Sequence, residues 1–331
     1  MSEIYTGAAT IYKSNPQPGD VYVRPLLQNM AIAYIQEAGT TYDKVFPYNP
    51  VQTQSGLYAV YNKGDFMRSQ TQARQDGRHD DMGFSVDLTG NYFCKTYGLK
   101  KTAGAVTTAA YNLPIALDRA SVRFLARAMK LRREKSFADV AFATASWGSN
   151  YTTPSVLWSD PSSTPIEDVR AAKQVVLKGT GFMPNKLTLG RSVYDVLCNH
   201  PEILARVGVG AVSGVDPRTV MRITLAKIFE VDEVIVGDFT YETAAKGATS
   251  SMDFVVGKHA LLTYTTATPS IEEPSAGYTF TWATFAGNAE GVMVRSGVNM
   301  EDNYNWWTID HAEDFKVTAS DLGYLFYNVV S

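Results

Sequence analysis

The chain has 331 residues, 33 acidic against 30 basic side chains, a net charge of −3 and a pI near 5.9, so any contact with nucleic acid or an anionic membrane has to be local. Hydrophobic residues make up 45% and charged residues 19%, which excludes a disordered chain, and this length implies two or three regions on short linkers rather than one core. Cys94 and Cys198 have neither CxxC nor zinc-ligand spacing, MSEIYTGAAT has no basic or apolar signal region, and no apolar run approaches the ~18 residues that cross a bilayer, so a reducing cytoplasm is expected.

Residues 1–25, with SNPQPGD, read as an extended arm, and 26–37 as a short amphipathic helix on Leu26, Met30, Ala33, Tyr34 and Glu37. Strand composition at 57–66 and alternation of Phe84, Val86 and Leu88 predict a hairpin around the polar tip RSQTQARQDGRHDDM. Two such strands bury too little on their own, so the hairpin needs a partner surface. From Ile115 to Ala143 no Gly or Pro interrupts a helical recurrence of Val122, Leu125, Met129, Phe137 and Val140, which predicts one long helix.

Thr164, Pro165, Ile166 and Glu167 read as a capping box opening a helix to Lys178. A turn at GTGFMPN, a strand at KLTL, two short helices broken by Pro201, a helix from Asp216-Pro217 to about Phe229 and a strand at VDEVIVG complete a mixed unit over 165–243. From 252 onward FVV, ALLTYTT, YTFTWATF, GVMVR and YLFYNVV read as strands. The fold class expected is α+β.

Catalytic, metal and cofactor residues are expected to be absent. There is no P-loop, no G-x-S-x-G, no H-E-x-x-H and no complete G-x-G-x-x-G; GTG at 179–181 and GVG at 208–210 read as turns. His79, His200, His259 and His311 are remote from one another, and Asp310, His311, Glu313 and Asp314 read as a solvated loop. On the long helix Arg119, Arg123 and Arg127, followed by Lys130, Arg132, Arg133 and Lys135, read as one basic stripe opposed only by Asp118 and Glu134. Two readings fit it: a surface that attracts packaged double-stranded DNA without base readout, and the plainer one of a solvated face or a pairing with a neighbour's acids.

The order of elements, with MPNKLTLGRSVYDVLCNHPEILARV, KIFEVDEVIVGDFTYET and FVVGKHALLTY, resembles the tailed-bacteriophage major capsid proteins whose fold is named after the Hong Kong 97 phage. The resemblance covers roughly 26–331. It implies an N-terminal arm (1–54), an extended β-hairpin loop (55–100), a peripheral domain with a spine helix (101–154), an axial domain (155–250), and axial return strands with C-terminal peripheral-domain strands (251–331). It implies pentamers and hexamers closing an icosahedral shell, a virion protein assembled in the host cytoplasm with a scaffolding protein and a portal as partners, and no membrane. The intersubunit contacts expected on the extended loop are Lys63, Asp65, Arg68, Arg74, Arg78, Asp80 and Asp81. Two other readings remain: an encapsulin-like shell around a protein cargo, and a cytosolic α/β enzyme whose site is gathered from scattered residues.

Overall fold

The computed structural model describes residues 40–60, 87–104, 114–208, 217–245, 247–266 and 274–331. The predicted arm (1–25), the helix over 26–37 and the hairpin tip lie outside them.

In chain order the elements begin with α1 (Tyr42–Val45), β1 (Tyr48–Val51), β2 (Ser55–Val60), β3 (Asp87–Phe93), β4 (Lys95–Gly104), α2 (Pro114–Ala141) and β5 (Tyr151–Thr152). Next come α3 (Pro165–Thr180), β6 (Lys186–Gly190), α4 (Arg191–Cys198), α5 (Pro201–Gly208), α6 (Pro217–Phe229), β7 (Glu233–Gly237), β8 (Thr240–Glu242) and β9 (Met252–Phe254). The last are β10 (Ala260–Thr263), β11 (Gly277–Trp282), α7 (Ala283–Ala286), β12 (Val292–Asn299), β13 (Tyr304–Val317) and β14 (Gly323–Phe326).

Two sheets carry the architecture. In the first, β13 is the spine: Glu313 pairs with both Lys95 of β4 and Thr281 of β11, so those strands lie on opposite edges of it. β12 pairs with the first half of β13, and β1 runs parallel to β11. The long helix α2, about 42 Å at 1.5 Å per residue, lies on this sheet and buries Val122, Leu125, Ala126 and Met129 against Val292, Val294, Trp307 and Ile309. Trp307 Nε1 donates to Asp118 Oδ1 at 3.0 Å and pins the helix to the sheet.

The second sheet has the order β5-β14-β10-β6-β7. β6 and β7 are parallel and connected through α4–α6, and apart from Lys186 and Glu233 at their starts their residues are buried, as strands covered on both faces should be. Ile166, Val169 and Ala172 of α3 and Leu225 and Phe229 of α6 close over Leu187, Leu189, Val234 and Val236.

The helix positions agree with the proline signals, and Gly181 at φ 78° ends α3 as its C-cap, so GTG is a helix end and turn. The capping box does not form. Thr164 makes no side-chain cap; Ile166 N donates to Glu202 Oε2 at 3.4 Å and Glu167 pairs with Arg170 instead. YTFTWATF is strand only to Trp282 and then turns into α7. YLFYNVV contributes β14 to the second sheet beside β10. The largest departure is β13 itself, the long strand that contains the residues read as a solvated acidic loop.

Candidate assembly surfaces

The expected hairpin exists as an antiparallel stem, β2 against β3, pairing Ser55 with Phe93 and Tyr58 with Gly90. Alternation along a strand sends Tyr58 and Tyr92 to one face. There both rings stack on Phe280 of β11, at 5.4 and 4.7 Å between centroids. Gly56 and Gly90 make room for this, since a Cβ at Gly90 would stand 2.3 Å from the Tyr58 ring. Cys94 at the base is fully buried, with its amide on Gln54 O at 2.8 Å; burial, with the Asp314 and Glu313 charges, pushes its thiol up to about 12, so it is inert packing. The stem therefore finds within its own chain a partner surface of the kind its two short strands need. The opposite face is open: Leu57 and Phe93 are 63% and 51% exposed. Lys63, Asp65, Arg68, Arg74, Arg78, Asp80 and Asp81, as well as His79, fall outside the described residues.

On α2 the basic stripe divides. Arg119, Arg123 and Arg127 are exposed, beside Phe124, whose ring carries the Lys101 ammonium at 5.3 Å. Lys130 and Arg133 are buried. At about 100° per residue both stay within about 40° of Arg119 around the helix, so direction alone does not separate them; cover does. The segment 40–48 crosses this face, bringing Tyr42, Val45 and Phe46 against Phe137, Ala138 and Ala141. Lys130 lies 5.6 Å over the Phe239 ring and Lys135 lies 5.2 Å over the Tyr241 ring.

Arg133 Nε meets Glu313 Oε2 at 2.9 Å, Arg132 Nη1 reaches Glu313 Oε1 at 3.3 Å, and Arg133 Nη2 donates to the Tyr48 hydroxyl at 3.0 Å. Burial works against the Arg133 charge, but Glu313 and the phenols of Tyr42 and Tyr48 more than offset it, and its pKa is raised. His311 is buried on the same strand, its Nε2 donating to Glu290 O at 2.8 Å. Burial and the Arg133 charge hold its pKa well below the usual range, so the ring is neutral and its 3.5 Å approach to Glu313 is not an ion pair. Asp310 pairs with Arg295, and Asp314 Oδ2 accepts from Phe93 N at 2.9 Å. The four residues read as a solvated loop are thus structural members of a strand. Among the described residues no group of His, Cys, Asp and Glu is arranged to hold a metal.

One pair looks catalytic at first sight. Ser163 Oγ lies 3.0 Å from His200 Nε2, both buried. His200 Nδ1 accepts from Glu202 N at 3.2 Å, so the proton of the neutral ring sits on Nε2, facing Ser163 Oγ and Asp160 O. That tautomer cannot take the serine proton, and the pair ties the loop before α3 to the start of α5. The groove of about 290 Å³ between α3 and α6 offers Lys173, whose ammonium is already bonded to Phe229 O at 3.0 Å and Glu230 O at 2.8 Å. His259 is packed between Phe142 and Tyr327.

No family model matches the chain. The chain is 26% identical over 228 residues to the major capsid protein of Burkholderia phage BcepMu, covering 66% of this chain and 70% of that one. It is 26% identical over 177 residues to the major capsid protein of Pseudomonas phage JBD67, about half of either chain (53% of each). A solved phage-related protein from Bordetella bronchiseptica RB50 superposes with a TM-score of 0.73 at 24% identity, covering 93% of this chain and 98% of that one. The capsid structure of cyanophage P-SCSP1u shares the fold at a TM-score of 0.51 and 10% identity, covering 88% and 89%. The architecture is the Hong Kong 97-type capsid fold. Within that class the sequence relatives are phage major capsid proteins.

Proposed function

We propose that the chain is a shell subunit that assembles with copies of itself, as pentamers and hexamers, into an icosahedral container for double-stranded phage DNA. The observation that carries this reading is the match to a sequence named as a major capsid protein over 66% of the chain, on a fold shared with a phage capsid. The open Leu57 and Phe93 face of the hairpin stem supports it, because an apolar face beside a well-packed one is what a contact between copies requires. An encapsulin-like shell is the weaker alternative, since the sequence relatives are phage proteins.

In this reading residues 1–54 form the arm, 55–100 the extended loop, 101–154 the peripheral domain with the spine helix, 155–250 the axial domain and 251–331 the axial return strands and the C-terminal peripheral-domain strands. A scaffolding protein and a portal complete the assembly in the host cytoplasm. Arg119, Arg123 and Arg127, the part of the stripe that stays exposed, are the residues that meet DNA, through sequence-independent charge. Reversing these three to Glu should leave shells forming while lowering the DNA they hold; normal genome filling would remove the role. Changing Arg74 and Arg78 to Glu should lower shell yield without unfolding the subunit, and equal yield would remove those loop contacts.

A further inference from the structure

We propose that Glu134 and Thr41 form a proton-sensitive clasp that ties residues 40–46 to helix α2, tight when the carboxyl is protonated and looser as the medium becomes more alkaline. This inference does not rest on the shell reading. Thr40, Thr41 and Glu134 are all buried. Both polar groups of Thr41 converge on one carboxyl: its amide lies 2.6 Å from Oε1 and its hydroxyl 2.5 Å from Oε2. The two contacts sit just ahead of Tyr42, Val45 and Phe46, which insert into the core.

The clasp has a geometry for each protonation state. The neutral acid accepts from the Thr41 amide at one oxygen and donates from the other to the Thr41 hydroxyl, whereas the anion accepts both. The anion has lost its water, and among the described residues no ion pair within 4 Å compensates it. From α1, the Asp43 carboxylate repels it, and the Tyr42 amide also donates to it. From its own helix Lys130, one turn back, attracts it, though burial lowers the pKa of that lysine too. At the far end of α1, Lys44 pairs with Glu233 at 2.7 Å. The net result is a carboxyl that burial, then Asp43, raises to about 7 against the Thr41 hydrogen bonds.

A raised carboxyl in the docked state favours docking at low pH. The preference is lost between the ordinary carboxylate range and about 7, and is level above that, where docked and undocked states are both ionised. Glu134→Gln supplies one acceptor and one donor at every pH and so imitates the protonated clasp. The test is hydrogen–deuterium exchange of peptides over 40–48 in the full chain at pH 5, 6, 7 and 8, as protection factors corrected for intrinsic exchange. The ratio of E134Q to wild-type protection should be lowest at pH 5, within a few-fold of one, rise up to about tenfold per pH unit towards pH 7, and level off by about pH 8. A ratio flat from pH 5 to 8, or below one throughout, overturns the proposal. Should E134Q not fold, the wild-type protection of 40–48 relative to β6 carries the test: it has to fall from pH 5 to 7, and a constant or rising value overturns the clasp.

Discussion

Arg133 and Glu313 face each other across the boundary between helix α2 and strand β13, Nε to Oε2 at 2.9 Å, with both side chains sealed from solvent. Enclosing two charges is costly, and the pair holds because Tyr48 and Arg132 add a hydrogen bond to each partner. It fixes the register of the long helix on the sheet and the segment 40–48 over both.

Removing one member should therefore cost far more than removing both. Glu313→Leu leaves a buried guanidinium uncompensated and should lower stability by about 3–5 kcal/mol. The double change Arg133→Met with Glu313→Leu should recover most of that loss. Urea unfolding of the three proteins checks this; a double mutant as unstable as the single would show that the pair is stabilising beyond its mutual cancellation.

Phe280 is the ring on which both tyrosines of the hairpin stem rest. Phe280→Ala should cost about 3–5 kcal/mol and deprotect β2 and β3 in hydrogen exchange while β6 and β10 keep their protection. Unchanged protection of the stem would mean that the strand pairing alone holds it.

Two glycines differ in what surrounds them. A Cβ at Gly190 would lie 1.9 Å from the Gly257 carbonyl oxygen, which is backbone, whereas one at Gly90 meets the Tyr58 ring, which can rotate away. Gly190→Ala should lower the melting temperature more than Gly90→Ala, with overpacking of about 1–3 kcal/mol as the scale for the milder case. The reverse order in calorimetry would contradict the packing described.

His311 sets an acid limit. Its folded pKa is depressed, so its neutral ring costs nothing above an unfolded value of about 6.5, and stability is lost as pH falls below that. His311→Gln, which keeps a donor for Glu290 O, should hold its stability where wild type declines. The gap should grow by up to about 1.4 kcal/mol per pH unit between pH 6.5 and 5; parallel curves would mean that the ring is not buried neutral.

Much of this fold was legible in the sequence, because prolines at 165, 201 and 217 mark helix starts and the uninterrupted run after Pro114 marks α2. β13 was not, because His311 and Glu313 occupy inward positions that a two-residue alternation expects to be apolar, between Trp307, Ile309 and Phe315. Their partners Glu290 and Arg133 are remote in sequence, as Thr41 is from Glu134, and no local pattern announces such pairs. The basic stripe was legible only as far as Arg127, for a related reason: the helix periodicity gives a direction, not what crosses that face, and Lys130 and Arg133 are covered. The stem was seen as a hairpin, but its anchor Phe280 lies nearly two hundred residues later, roughly the separation of β3 from β11.

Electron microscopy of the purified full chain, alone and with a co-expressed scaffolding protein, tests the central claim most directly. The account predicts capsomers and closed icosahedral particles in which the Leu57 and Phe93 face of each stem is covered by a neighbouring copy. A homogeneous monomer under both conditions, with that face still in solvent, would contradict it.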